Sequence, residues 1–99
     1  MLFDQINQEL ELTQRHLVVL KKVIKDGPIG ILKIAEETKM PTHKVRYSLR
    51  VLELEGLIKP STHGAVAGDR TEEFLSGFEE QITSIIEKAS MIRDLGAEF

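Results

Sequence analysis

The sequence predicts a mainly α-helical domain, with a three-helix core, a short β-hairpin, and long helices at both ends. Three observations predict it. Apolar residues recur at steps of three and four across 3–26 and again across 69–95. Between these stretches, 31–58 reads as two short amphipathic helices joined at Lys39-Met40-Pro41. The strand-like segments are confined to 57–67 and flank the turn-forming run Pro60-Ser61-Thr62-His63-Gly64.

Ninety-nine residues make a single domain over 1–99, whose modest core leaves room for help from a second subunit. Residues 3–26 read as one helix of roughly 36 Å. Phe3, Ile6, Leu10, Thr13, Leu17, Leu20 and Ile24 form a heptad-like, coiled-coil seam on it. Leu12, Val18, Val19 and Val23 widen the apolar surface of its second half, which should face the core while the first half projects. Asp26-Gly27-Pro28 ends it, because Gly suits the position after a helix and Pro cannot extend one.

Leu32 to Thr38 reads as a short helix with Ile31, Ile34 and Ala35 inward. Thr42 to Glu55 reads as the third helix, with Val45, Leu49 and Leu52 on one face and Gly56 as its stop. Leu57-Ile58-Lys59 and Ala65-Val66-Ala67 are the expected strands, kept short or at an edge by Pro60, which donates no ladder hydrogen bond. Asp69 to Leu95 is the expected last helix, opened by the capping pair Asp69 and Glu72 with Thr71 as rival cap. Its seam runs through Leu75, Phe78, Ile82, Ile85, Ala89, Ile92, Gly96 and Phe99.

There is no Cys, which excludes a disulfide framework, thiolate metal sites and a thiol nucleophile. No apolar run is long enough to span a bilayer, and MLFDQINQELE lacks the basic start and apolar centre of a signal peptide, so a cytoplasmic location is expected. No Ser/His/Asp arrangement or phosphate-binding glycine loop is visible, and Gly27-Pro28-Ile29-Gly30 is better read as a helix terminator. His16, His43 and His63 fall on three separate elements without metal-ligand spacing. The expectation is a protein that is not an enzyme and carries no cofactor or metal.

Net charge is −3, yet its distribution is uneven. Residues 1–38 carry −1, residues 39–63 carry +3 and residues 64–99 carry −5. A local basic patch attracts phosphates within a Debye length of about 8–10 Å, beyond which distant acids are screened. On a helical wheel, His43, Tyr47 and Arg50 lie opposite Val45, with Lys44 and Arg46 on the flanks. Such a helix can be held by its inner face while its outer face enters a DNA major groove, ~12 Å wide. The open backbone N–H groups after Pro41, at Thr42, suit a phosphate oxygen. A plain solvated basic face is the competing reading of these cations.

The run from Ile34 to Ile58, I-A-E-E-T-K-M-P-x-x-K-V-x-x-x-L-x-x-L-E-x-E-G-L-I, resembles the winged helix-turn-helix transcriptional regulators of bacteria and archaea. Ile34-Ala35 match the positioning helix, Met40 the apolar residue after the turn, Val45, Leu49 and Leu52 the inner face of the recognition helix, and Gly56-Leu57-Ile58 the first wing strand. The resemblance covers about 16–67. It implies a helix-turn-helix over 31–58, a wing over 57–67, and a sequence-specific, double-stranded-DNA-binding homodimer. Thr42, His43, Lys44, Arg46, Tyr47, Arg50, Lys59 and His63 are the DNA-facing candidates. Many members have Gly where this chain has Lys39, and a left-handed backbone there would cost Lys about 1 kcal/mol or more.

The terminal helices carry more apolar surface than so small a domain can cover. Phe3, Ile6, Leu10, Leu75, Phe78, Ile82, Ile85 and Ile92 are therefore the dimerisation candidates. No convergent polar residues along these seams mark a pocket for a small-molecule effector. The alternative function is a protein-interaction module within a transcription or replication assembly, favoured by the net negative charge and the sparse hairpin.

Overall fold

The computed structural model describes residues 1–99. The chain is mainly helical with one two-stranded antiparallel sheet. In order, its elements are α1 (Asp4–Asp26), α2 (Ile31–Thr38), α3 (Thr42–Leu54), β1 (Ile58–Ser61), β2 (Gly64–Ala67), α4 (Thr71–Ser76) and α5 (Phe78–Leu95), with a terminal 3₁₀ turn, Gly96–Glu98.

The core sits where α1, α2 and α3 meet the base of the hairpin. Val19, Leu20 and Val23 of α1 are buried against Ile34 and Ala35 of α2 and Val45 and Leu52 of α3. Ile29, Leu57 and Ile58 close it from the hairpin side. The expected division of the first helix holds: its second half supplies core, while Phe3, Ile6 and Leu10 are about half exposed, at 54%, 49% and 48%. Leu49, read as an inner-face residue, is only partly buried at the margin of the core.

The helix ends follow local chemistry. Gly27 donates to the Val23 carbonyl at 2.8 Å, closing α1. After α2, Lys39 takes a left-handed conformation (φ 58°) and Met40 donates back to the Ala35 carbonyl at 3.1 Å, so the position expected to favour Gly does carry positive φ. After α3, Gly56 (φ 76°) and the Leu57 N–H to the Leu52 carbonyl, 2.9 Å, form the same type of stop.

The hairpin differs from expectation at its turn. Pro60 and Ser61 belong to β1, pairing with Ala65 and Gly64, so the reversal is made by Thr62 and His63 alone. The segment after α1 is also more than a terminator. Ile29 bridges to Ala65 in antiparallel fashion, with N–H to O distances of 3.1 and 2.8 Å in the two directions. A Cβ on Gly64 (φ 125°) would lie 2.5 Å from the Ile29 carbonyl carbon, so only glycine lets these two backbones meet.

The last helix is not continuous. It breaks at Gly77 (φ −98°, ψ 2°), where the Ser76 hydroxyl turns back onto the Glu73 carbonyl at 2.9 Å. The capping pair Asp69 and Glu72 does not form. Asp69 instead meets the Lys59 ammonium at 3.0 Å, and Thr71, the rival cap, donates its hydroxyl to the buried Leu57 carbonyl at 2.7 Å. Gly68 N–H to Leu57 O (2.9 Å) and Arg70 N–H to Gly56 O (3.0 Å) fasten the same junction.

Candidate nucleic-acid interface

The outer face of α3 is positioned by what its inner face buries. Val45 and Leu52 are inaccessible or nearly so, at 0% and 3% exposed. Thr42, His43, Lys44, Arg46, Tyr47 and Arg50 consequently all lie on the exposed side. Lys44, Arg46 and Arg50 have no acidic partner within ion-pair distance. The lysines of the neighbouring face behave differently. Lys22 pairs with Asp26 at 2.7 Å and with Glu37, and Lys33 pairs with Glu37 at 3.2 Å. Hydrogen bonds from Lys22 hold both carboxyls below the usual carboxylate range, and hydrogen bonds to Asp26 and Glu37 raise the Lys22 ammonium. The three cations of α3 are thus unpaired, whereas Lys22 and Lys33 beside it are neutralised.

Arg46 and Arg50 also line a cleft of about 360 Å³ between α3 and the hairpin, together with Leu49, Glu53, Pro60 and Ser61. The hairpin adds little charge to it. Lys59 is offset by Asp69, and His63 stands exposed at the turn, its N–H 3.3 Å from the Ser61 hydroxyl.

One part of the site escaped the sequence reading. Ser48, fully buried on α3, is held from α1 by two side chains. Arg15 Nε donates to Ser48 Oγ at 3.3 Å, and Ser48 Oγ lies 2.7 Å from His16 Nδ1. With Arg15 donating, the serine proton is free to go to a neutral His16. Burial, and then the Arg15 charge, push the His16 pKa down against a weaker opposing effect of Glu9. The Arg15 guanidinium lies 5.7 Å from the centre of the Tyr47 ring, and His16 stacks obliquely on the same ring at 5.8 Å. Tyr47 is therefore not free in solvent but braced by α1. The available signal was positional: Ser48 falls on the same wheel face as Val45 and Leu52, one turn from each.

The seam candidates separate into two sets. Phe78, Ile82 and Ile85 come together with Thr13, Leu17 and Phe74 around a groove of about 610 Å³ between α1 and the C-terminal helices. Leu75 and Ile92 remain on open surface at 50% and 46% exposure, as do Phe3, Ile6 and Leu10. His16, His43 and His63 stay apart, and no three His, Asp or Glu side chains approach closely enough to hold a metal ion. No helix is long and apolar enough to cross a membrane. No protein-family model matches the chain, and a comparison with curated proteins returns no match.

Proposed function

We propose that the chain is a winged helix-turn-helix regulator that binds double-stranded DNA as a homodimer, with α2 as positioning helix, α3 in the major groove and β1–β2 as wing. The carrying observation is the unpaired cationic face of α3, set over the buried Val45 and Leu52 and beside Lys22 and Lys33, which are already paired with Asp26 and Glu37. Phosphates supply affinity to such a face, and a guanidinium can read guanine through two hydrogen bonds. Arg46 and Arg50 are the candidates for that reading, with Lys44, Thr42 and His43 toward the backbone. Tyr47, braced by Arg15 and His16, offers its hydroxyl from a fixed position.

The test is fluorescence anisotropy with pooled genomic fragments at two salt concentrations. Wild type should bind more weakly as salt rises. Arg46→Ala with Arg50→Ala should weaken binding by about 1–3 kcal/mol for each guanine that is no longer read, or flatten the salt dependence by about one unit for each phosphate that is no longer neutralised. Equal binding by wild type and the double variant, or no binding by either, overturns the reading.

A second reading rests on the hairpin. Its only lysine is offset by Asp69, and the C-terminal third of the chain is strongly acidic, so the fold also suits a protein-contact module. Co-purification of a stable partner that shields α3 from proteolysis or labelling would favour it.

A further inference from the structure

Resting on the proposed dimer, we infer that two copies pair through α5 in antiparallel orientation. The seam of α5 is Phe78, Ile82, Ile85, Ala89 and Ile92, continued by Gly96 at the start of the terminal turn, and its second half projects with Ile85 and Ile92 45% and 46% exposed. Its 18 residues span roughly 27 Å. Residue sizes along the seam are graded, large at the start and small toward the end. Antiparallel pairing sets Phe78 against the partner's Gly96, Ile85 against the partner's Ala89, and Ile82 against the partner's Ile92, so bulk meets space at both ends of the seam. The groove against Thr13 and Leu17 continues this seam and receives the partner's Ile92 beside Ile82.

Charge selects the same orientation. In that register, Glu79 flanks the partner's Arg93 twice over, and Ile86, 62% exposed, meets the partner's Ile86 near the two-fold axis. Neither Glu79 nor Arg93 has an ionic partner within its own chain. Arg93 makes only a long 3.4 Å hydrogen bond to the Ser90 hydroxyl. Lys88 faces the partner's Lys88, a cost relieved by long stems that keep the charged heads in water. Parallel pairing reverses both advantages. It places Gly96 on the partner's Gly96 and Ala89 on the partner's Ala89, and brings Lys88 beside the partner's Arg93.

The experiment uses the full chain, whose lack of Cys gives a clean background for disulfide trapping. Under oxidation, Ile85→Cys alone and Ala89→Cys alone should stay uncrosslinked, whereas their mixture should form a covalent dimer. Sedimentation equilibrium should show Arg93→Glu and Glu79→Arg each raising the dimer Kd roughly three- to tenfold, with the double exchange restoring it. Self-crosslinking of Ala89→Cys, or a tighter dimer on Arg93→Glu, marks parallel pairing and overturns the inference while leaving the dimer reading intact. A dimer indifferent to every α5 variant also overturns it. A wild-type chain that is monomeric throughout overturns both.

Discussion

At the scale of single residues, Lys39 stores a small conformational cost. A non-glycine side chain in the left-handed region strains the backbone. Lys39→Gly should therefore raise stability by about 1 kcal/mol, read as a higher urea midpoint at unchanged slope. His16 has a pH signature. Its folded pKa lies below the ordinary 6.5, so the unfolded chain binds more protons in the interval between the two values. Its contribution is present above pH 6.5 and declines as pH falls toward the folded value. Asp26 and Glu37, lowered from 3.8 and 4.5, add a second decline at more acid pH. NMR should place the His16 midpoint under 6.5, and His16→Gln should remove the first decline while sparing the second. Val45, Ile34 and Leu52 were legible in the sequence because apolar spacing announces burial. Ser48 was not, since a lone serine carries no such mark until its partners on α1 are known.

At the scale of elements, α1 and α3 were legible nearly to the residue, because each combines a periodic face with a chemically distinct stop. The failures have physical causes. Ile29 pairs with Ala65 through one residue, too short to leave a period-two pattern. The heptad spacing of the sequence runs unbroken across Gly77, although that residue leaves the helical region (φ −98°, ψ 2°) and divides α4 from α5. Asp69 and Glu72 have the spacing of a cap, yet α4 begins only at Thr71 with Arg70 in the cap position, because the hydrogen bonds of Gly68, Arg70 and Thr71 to Gly56 and Leu57 fix where it starts. Tertiary hydrogen bonds there override a local motif. Gly64 is the most demanding position of the hairpin, where positive φ and the approach of Ile29 coincide. Gly64→Ala should destabilise by about 2 kcal/mol or more, well beyond an ordinary surface change, measured by thermal or urea unfolding.

At the scale of the whole molecule, the chain is elongated, 56 × 29 × 20 Å, with a radius of gyration of 16.0 Å. A compact chain of this length has about 13 Å. The excess comes from the projecting start of α1 and the projecting end of α5, which carry most of the exposed large apolar residues. Ile85→Glu with Ile92→Glu should give a folded monomer of unchanged helical content, because neither side chain is in the core. Without paired binding, affinity for a two-half-site DNA should then fall roughly a hundredfold or more, measured by sedimentation and anisotropy together. That such surfaces exist was legible from the seams. Which of them form a groove was not, because it depends on the angle at which α4 leaves the hairpin.

That angle is set at one place. Thr71, Gly68 and Arg70 are tied to the carbonyls of Leu57 and Gly56, immediately beyond the last turn of α3. In a dimer joined through α5, this clasp acts as the fixed joint of a ruler. The distance between the two copies of α3 then depends on the ties of residues 68–71 to Gly56 and Leu57, together with the break at Gly77. Loosening the clasp, as Thr71→Val would by removing one of the two hydrogen bonds to the Leu57 carbonyl, retunes the reach of the assembly while leaving its reading head untouched.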